Sequence, residues 1–98
     1  MEWIIKIEGK PNQRISVYFD SNVNGNLVFF GEYKPKNKEW VTFVKKIPST
    51  PINELNDLNT ILEDVSIEMS NLVKKYEKYS EIFSLVKEIK ILEDLDNN

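Results

Sequence analysis

An α+β fold, a four-stranded antiparallel β-meander followed by a long C-terminal helix, is what this 98-residue sequence predicts. Three observations lead there. Four short runs rich in Ile, Val, Phe, Tyr and Trp lie before Pro48, separated by segments of turn chemistry. All three glycines precede Pro48 and none follows it. From Leu55 onward, apolar residues recur at alternating spacings of three and four, the period of a helix.

The strand runs are WIIKI (3–7), RISVYFD (14–20), NLVFFGEY (26–33) and EWVTFVKKI (39–47), joined by GKPNQ, SNVNG and KPKNK. Connections this short make consecutive strands antiparallel neighbours. Pairing Ile5 with Val17, Val17 with Phe29 and Phe19 with Leu27 gathers Trp3, Ile5, Ile7, Ile15, Val17, Phe19, Leu27, Phe29, Val41 and Phe43 on one face, the expected core. A tight Asn24-Gly25 turn pairing Phe19 with Phe30 would swap the faces of the third strand. In the first register the opposite face carries Ile4, Lys6, Arg14, Tyr18, Val28, Phe30, Trp40, Thr42, Val44 and Lys46. That is too apolar for a solvated face and marks an interaction surface, unless the chain beyond Ser80 folds back over it.

The helix is expected to open with Thr50 as N-cap and Pro51 at its first position, with Glu54 and Asp57 near the positive end of its dipole. Its stripe runs through Leu55, Leu58, Leu62, Val65, Met69, Leu72, Tyr76, Tyr79, Phe83 and Val86. Past Tyr79 a second stripe of Ile82, Leu85, Ile89 and Leu92 follows Ser80, itself a capable N-cap, so the pattern fits either one bent helix or a helix broken near Ser80. The whole is read as a single domain, with the meander over 1–47, the helical segment over 50–93 and a frayed acidic tail at 94–98.

Helix length predicts self-association. A helix from Pro51 to Tyr79 spans roughly 43 Å, whereas four short strands give a sheet diagonal of roughly 25 Å. The overhanging turns carry Met69, Leu72, Tyr76 and Tyr79, and with Phe83, where the seam runs on, these are the expected interface of a homodimer. A fold-back hairpin using Ile82, Leu85, Ile89 and Leu92 is the competing monomer.

Composition narrows the chemistry. The chain has no cysteine and no histidine, which removes disulfides, thiolate metal sites, cysteine nucleophiles and the commonest general base. Its opening MEWIIKIEGK interleaves charge with a few apolar residues and reads as neither leader nor membrane span, so a cytoplasmic protein without membrane contact is expected. DSNVNGNLVFFGE (20–32) follows the first eight positions of a calcium-binding EF-hand loop, but strands are expected on both sides, position 12 is Gly31, and Glu32 falls one place late. It is read as a hairpin. The carboxylate pairs Glu63 with Asp64 and Asp20 with Glu32 have no predicted pocket, and no phosphate loop, dinucleotide fingerprint or nucleophile elbow occurs. Neither catalysis, metal nor cofactor is therefore expected. Lys34, Lys36 and Lys38 are read as a solubilising turn that blocks edge pairing rather than a phosphate site.

Two functions remain. The leading expectation is a non-catalytic protein-binding module of adaptor, inhibitor or immunity type, acting through the aromatic sheet face or the acidic helix. Its partner-binding residues would be Tyr18, Phe30, Trp40, Val28, Val44, Lys6, Arg14 and Lys46. The alternative is single-stranded nucleic-acid binding, with bases stacked on Tyr18, Phe30 and Trp40 and phosphates on Lys6, Arg14 and Lys46. Residues 1–50 hold eight Lys/Arg against five Asp/Glu, a net +3, whereas residues 51–98 hold five against eleven, a net −6. The order of four strands then a helix over residues 3–79 resembles Whirly and PUR-type modules, a likeness that implies a sheet-face site for single strands and assigns no residues. The sequence pI of about 5.0 favours the protein-binding reading.

Overall fold

The computed structural model describes residues 2–86. The chain forms β1 (Glu2–Lys6), β2 (Gln13–Phe19), β3 (Leu27–Tyr33), β4 (Val41–Lys46) and α1 (Leu55–Ser84), with the strands in sequential antiparallel order. This is the predicted α+β meander and C-terminal helix. Ile89, Leu92 and the expected tail at 94–98 lie outside the described residues.

Two turns close the first hairpin: Lys10 N–H donates to Ile7 O and Gln13 N–H to Lys10 O, at 3.1 and 3.0 Å, with Gly9 at φ +75°. They set Trp3 opposite Val17 and Ile5 opposite Ile15. The expected pairing of Ile5 with Val17 is therefore off by two residues, an even shift that leaves every side chain on its predicted face. The second hairpin has the expected register, Val17 with Phe29 and Phe19 with Leu27. Strands flank its loop. Asn22 N–H donates to the Asp20 carboxylate at 2.9 Å, and Gly25 and Asn26 take φ of +83° and +65°. Asp, Gly and Asn serve there as turn residues.

The third hairpin departs from strict alternation. Gly31 pairs with Val44 and Glu32 with Thr42, leaving Phe43 as the extra residue of a β-bulge. Before the bulge Val41 keeps its expected face; after it the alternation of β4 is inverted. Val44 and Lys46 consequently lie on the helix side, opposite Gly31 and Phe29, and Lys45 takes the outer face opposite Phe30.

The helix begins at Leu55 and not at Pro51. Asp57 is the reason: its carboxylate accepts from the N–H groups of Asn53 and Glu54, both at 3.2 Å, and so satisfies backbone donors where the helix starts. Thr50 and Pro51 remain in the connector, whose Ile52 packs against the core. The helix then runs through Ser80 without a break. It crosses β2, β3 and β4 on one face and does not reach β1. The docked ridge is Val65, Met69 and Val73, with Ile61 beside it, a four-residue row. Ile61 and Val73 fall outside the expected stripe, because a straight helix drifts away from an alternating three-and-four pattern.

The core is Ile15, Val17, Phe29, Tyr33 and Val44 from the sheet with Val65, Met69 and Val73 from the helix. At its centre sits Gly31. A Cβ built there would lie 3.1 Å from Val44 Cβ, 3.1 Å from Val65 Cγ1 and 3.3 Å from Met69 Sδ. Tyr33, Phe43 and Tyr76 extend the core as a ring cluster, with centroids 5.4 to 5.7 Å apart.

Two outcomes are expected. Gly31→Ala crowds Val44, Val65 and Met69, which must shift to admit the methyl group, and should lower unfolding free energy by about 1–3 kcal/mol in urea titration, although alanine suits a strand no worse than glycine does. Burial, reinforced by Glu77, raises the Tyr33 phenol above its ordinary value of 10.0. The unfolded chain therefore ionises first as pH rises past 10, so the stabilisation is full below that value and is lost above it. Tyr33→Phe should flatten this alkaline loss in unfolding measured across pH 9 to about 12.

Candidate interaction face

The face of the sheet turned away from α1 is built by alternation: Ile4 and Lys6 from β1, Arg14, Ser16 and Tyr18 from β2, Val28, Phe30 and Glu32 from β3. Alternation places Thr42 of β4 there too, opposite Glu32, and the bulge adds Lys45. No element among the described residues packs over it.

Two rigid groups occupy this face. Tyr18 and Phe30 meet edge to face, with ring centroids 5.4 Å apart and planes at 81°. Beside them, Glu32 Oε1 accepts from Arg14 Nε at 2.8 Å and also from the Ser16 hydroxyl. The Arg14 guanidinium lies 4.0 Å over the Trp40 ring. Ser16, only 1% exposed, is thereby satisfied in an otherwise dry position. Glu2, opposite Tyr18 in the ladder, raises the phenol above its usual range by hydrogen bonding, with smaller contributions from burial and charge.

A shallow groove of about 490 Å³ runs along the face between Phe30, Val28 and Ile47, with Asp20, Glu32 and Lys45 on its walls. A second hollow, of about 340 Å³, lies between the first turn and Trp40, lined by Ile4, Lys6, Lys10, Arg14 and Gln13.

Of the expected partner-binding residues, Tyr18, Phe30, Trp40, Lys6 and Arg14 are on this face. Val28 is there too but 5% exposed, a wall rather than a contact surface. Val44 and Lys46 are not. The bulge places Val44 in the core and lets Lys46 reach Asp64 of α1 at 3.6 Å. Ser16, Glu32 and Lys45 were not singled out for this face from the sequence; alternation alone places Ser16 and Glu32, and only the bulge places Lys45. Ile4, 49% exposed, and Ile47, 45% exposed, are open aliphatic residues of the face.

The expected helical interface is also altered. Met69 is fully buried under the sheet, and Leu72 and Tyr76 pack beside it, leaving Tyr79 and Phe83 as the exposed members of that seam. The carboxylate pairs are occupied or dispersed: Glu32 holds Arg14 and Ser16, Asp20 caps its own turn, and Glu63 and Asp64 face solvent. Lys36 and Lys38 line one cleft with Glu77 and Glu81 of α1. Among the described residues no group of three or more acidic side chains converges as a metal site, and no helix is long and apolar enough to cross a membrane.

Comparison with known families, curated proteins and solved structures finds no match to this chain. The likeness to Whirly and PUR-type modules thus rests on element order alone.

Glu32 is the keystone of the face. Glu32→Ala should cost about 1–3 kcal/mol in chemical unfolding, because it leaves Ser16 buried without its acceptor and Arg14 unpaired. Glu32→Gln, which keeps an acceptor oxygen, should cost less than half of that.

Proposed function

We propose that this chain is a non-catalytic protein-binding module, of adaptor, inhibitor or immunity type, that holds its partner on the outer sheet face. The observation that carries this reading is the one-sided helix. It leaves a face where Tyr18, Phe30 and Trp40 are held by neighbours before any partner arrives. Aromatic anchors fixed in advance lose little entropy on association, and such residues dominate binding energy at protein interfaces. The mixed charge of the surround suits a protein surface, which carries both signs, better than a polyanion.

Single-stranded nucleic acid is the weaker reading for a specific reason. Arg14 is committed to Glu32 and Trp40, and Lys46 lies on the helix side. With the Arg14–Glu32 pair set aside, Lys6 and Lys45 are the cations of the outer-face strands among the described residues, against the carboxylates of Glu2 and Asp20. Stacking platforms for single strands pair their aromatics with a continuous basic track.

The test compares the immobilised protein with its Tyr18→Ala/Phe30→Ala variant in affinity capture from a lysate of its native host. A partner held by the wild type, lost with the double variant and retained by Tyr79→Ala supports the outer face. In parallel, tryptophan fluorescence against oligo(dT) at low salt should show no affinity tighter than about 10⁻⁵ M, the range of non-specific binding. Salt-sensitive sub-micromolar binding there would establish the nucleic-acid reading instead.

A further inference from the structure

The two edges of the sheet are treated differently. β4 is blunted: it carries the bulge at Phe43, ends in Lys45 and Lys46, and follows a turn bearing Lys34, Lys36 and Lys38. Bulges and edge lysines are how sheets prevent pairing with other chains. β1 carries no bulge, and its one lysine, Lys6, is balanced by Glu2 at the other end of the strand. It is a regular five-residue strand, EWIIK, exposed along most of its length, and its outer side offers a row of backbone N–H and C=O groups.

We propose that a second copy of this chain pairs with β1, antiparallel and edge to edge, joining the two four-stranded sheets into one of eight strands. It uses the free edge of β1 and touches the outer face only at its margin, through Glu2 and Lys6, and it does not require the function proposed above.

Hydrogen-bonding geometry and charge together select the register. In an antiparallel pair, facing residues share the same hydrogen-bonding status. Residues of β1 whose backbone groups point to the free edge are all of one parity, so the paired numbers of the two copies must sum to an even value. The register centred on Ile4 sets Glu2 against Lys6 of the other copy, Lys6 against Glu2, and Trp3 against Ile5 twice over. It overlaps all five residues and forms two opposite-charge pairs on the outer face. Shifting the centre to Ile5 sets Glu2 against Glu8, and shifting it to Trp3 leaves both charges without partners. Opposite charges directly across an antiparallel pair stabilise it, and aromatic with β-branched pairs do so as well.

The helix side admits the same arrangement. Because α1 does not reach β1, Trp3 stays 46% exposed there and Ile5 half-buried. Edge pairing would bring these residues of both copies into one apolar strip flanked by the two helices. On α1 Met69 is already enclosed by its own sheet, so that among the described residues Tyr79 and Phe83 are what remains exposed of the expected interface.

Charge exchange provides the test. Sedimentation equilibrium at tens of micromolar and low ionic strength should give twice the 11.5 kDa mass of the chain. Glu2→Lys and Lys6→Glu should each weaken the dimer at least about tenfold, through like charges across the pair, and the combined Glu2→Lys/Lys6→Glu variant should restore it. Phe83→Glu, on the helix, should leave the mass unchanged. Circular dichroism confirms folding of each variant, and hydrogen exchange of the β1 amides provides a readout on the unaltered chain: protection should rise with protein concentration. A monomer at these concentrations, a dimer indifferent to both single reversals, or a dimer abolished by Phe83→Glu would each overturn the proposal.

Discussion

The close approach of α1 to Gly31 is the contact on which the rest of the molecule depends. With no Cβ at this position, Val65 and Met69 enter the space that a side chain would take, and Val44 closes it from the neighbouring strand. Burial of side chains such as Phe29, Ile15, Val65 and Met69 supplies about 1.5–3 kcal/mol each, but only where atoms touch on all sides. A helix held further from the sheet would forfeit much of that contact. Gly31 lies on β3, so the helix is centred over β3 and β4. The uncovered state of β1 and the exposure of Trp3 follow from that placement.

The bulge at Phe43 is the second determinant, and it acts through parity. One additional residue brings Phe43 to the ring cluster with Tyr33 and Tyr76 and still seats Val44 against Gly31. Strict alternation would place only one of the two on the core side. The same inversion moves Lys46 toward Asp64 and turns Lys45 outward. The exposed Lys46–Asp64 pair adds little stability, so the packing of Phe43 and Val44 accounts for the inversion and the ion pair is its by-product.

Much of this was legible in the amino-acid sequence, for reasons that also mark where legibility ends. Strand runs, turn chemistry and helical periodicity are local signals, and β1 to β4 and α1 stand where these signals place them. An even error in the first hairpin was harmless, since side-chain faces repeat every two residues. The odd event at Phe43 was not, and nothing in VTFVKK announces it, because a bulge is settled by what the facing helix needs. Thr50-Pro51 has the chemistry of a helix start, yet Asp57 sets the start at Leu55 through two backbone hydrogen bonds that composition alone does not rank. The alternating stripe on α1 suggested a seam between copies. The ridge that docks at home is Val65, Met69 and Val73, because the nearest apolar surface was the chain's own sheet.

The outer face differs in kind from a core that lacks its cover. An abandoned core face would present aliphatic side chains with no internal order, and it would be driven to collapse or aggregate. Here Ser16 is dry but donates to Glu32, Arg14 is stacked and paired, Val28 is tucked under its neighbours, and Tyr18 and Phe30 fix one another. Ser16, Arg14 and Glu32 satisfy one another within the face, so water is tolerated and the aromatic rings keep one arrangement. A surface with these properties persists in the free protein and is already shaped for contact, and both are required of a site that must exist unoccupied yet bind without reorganising.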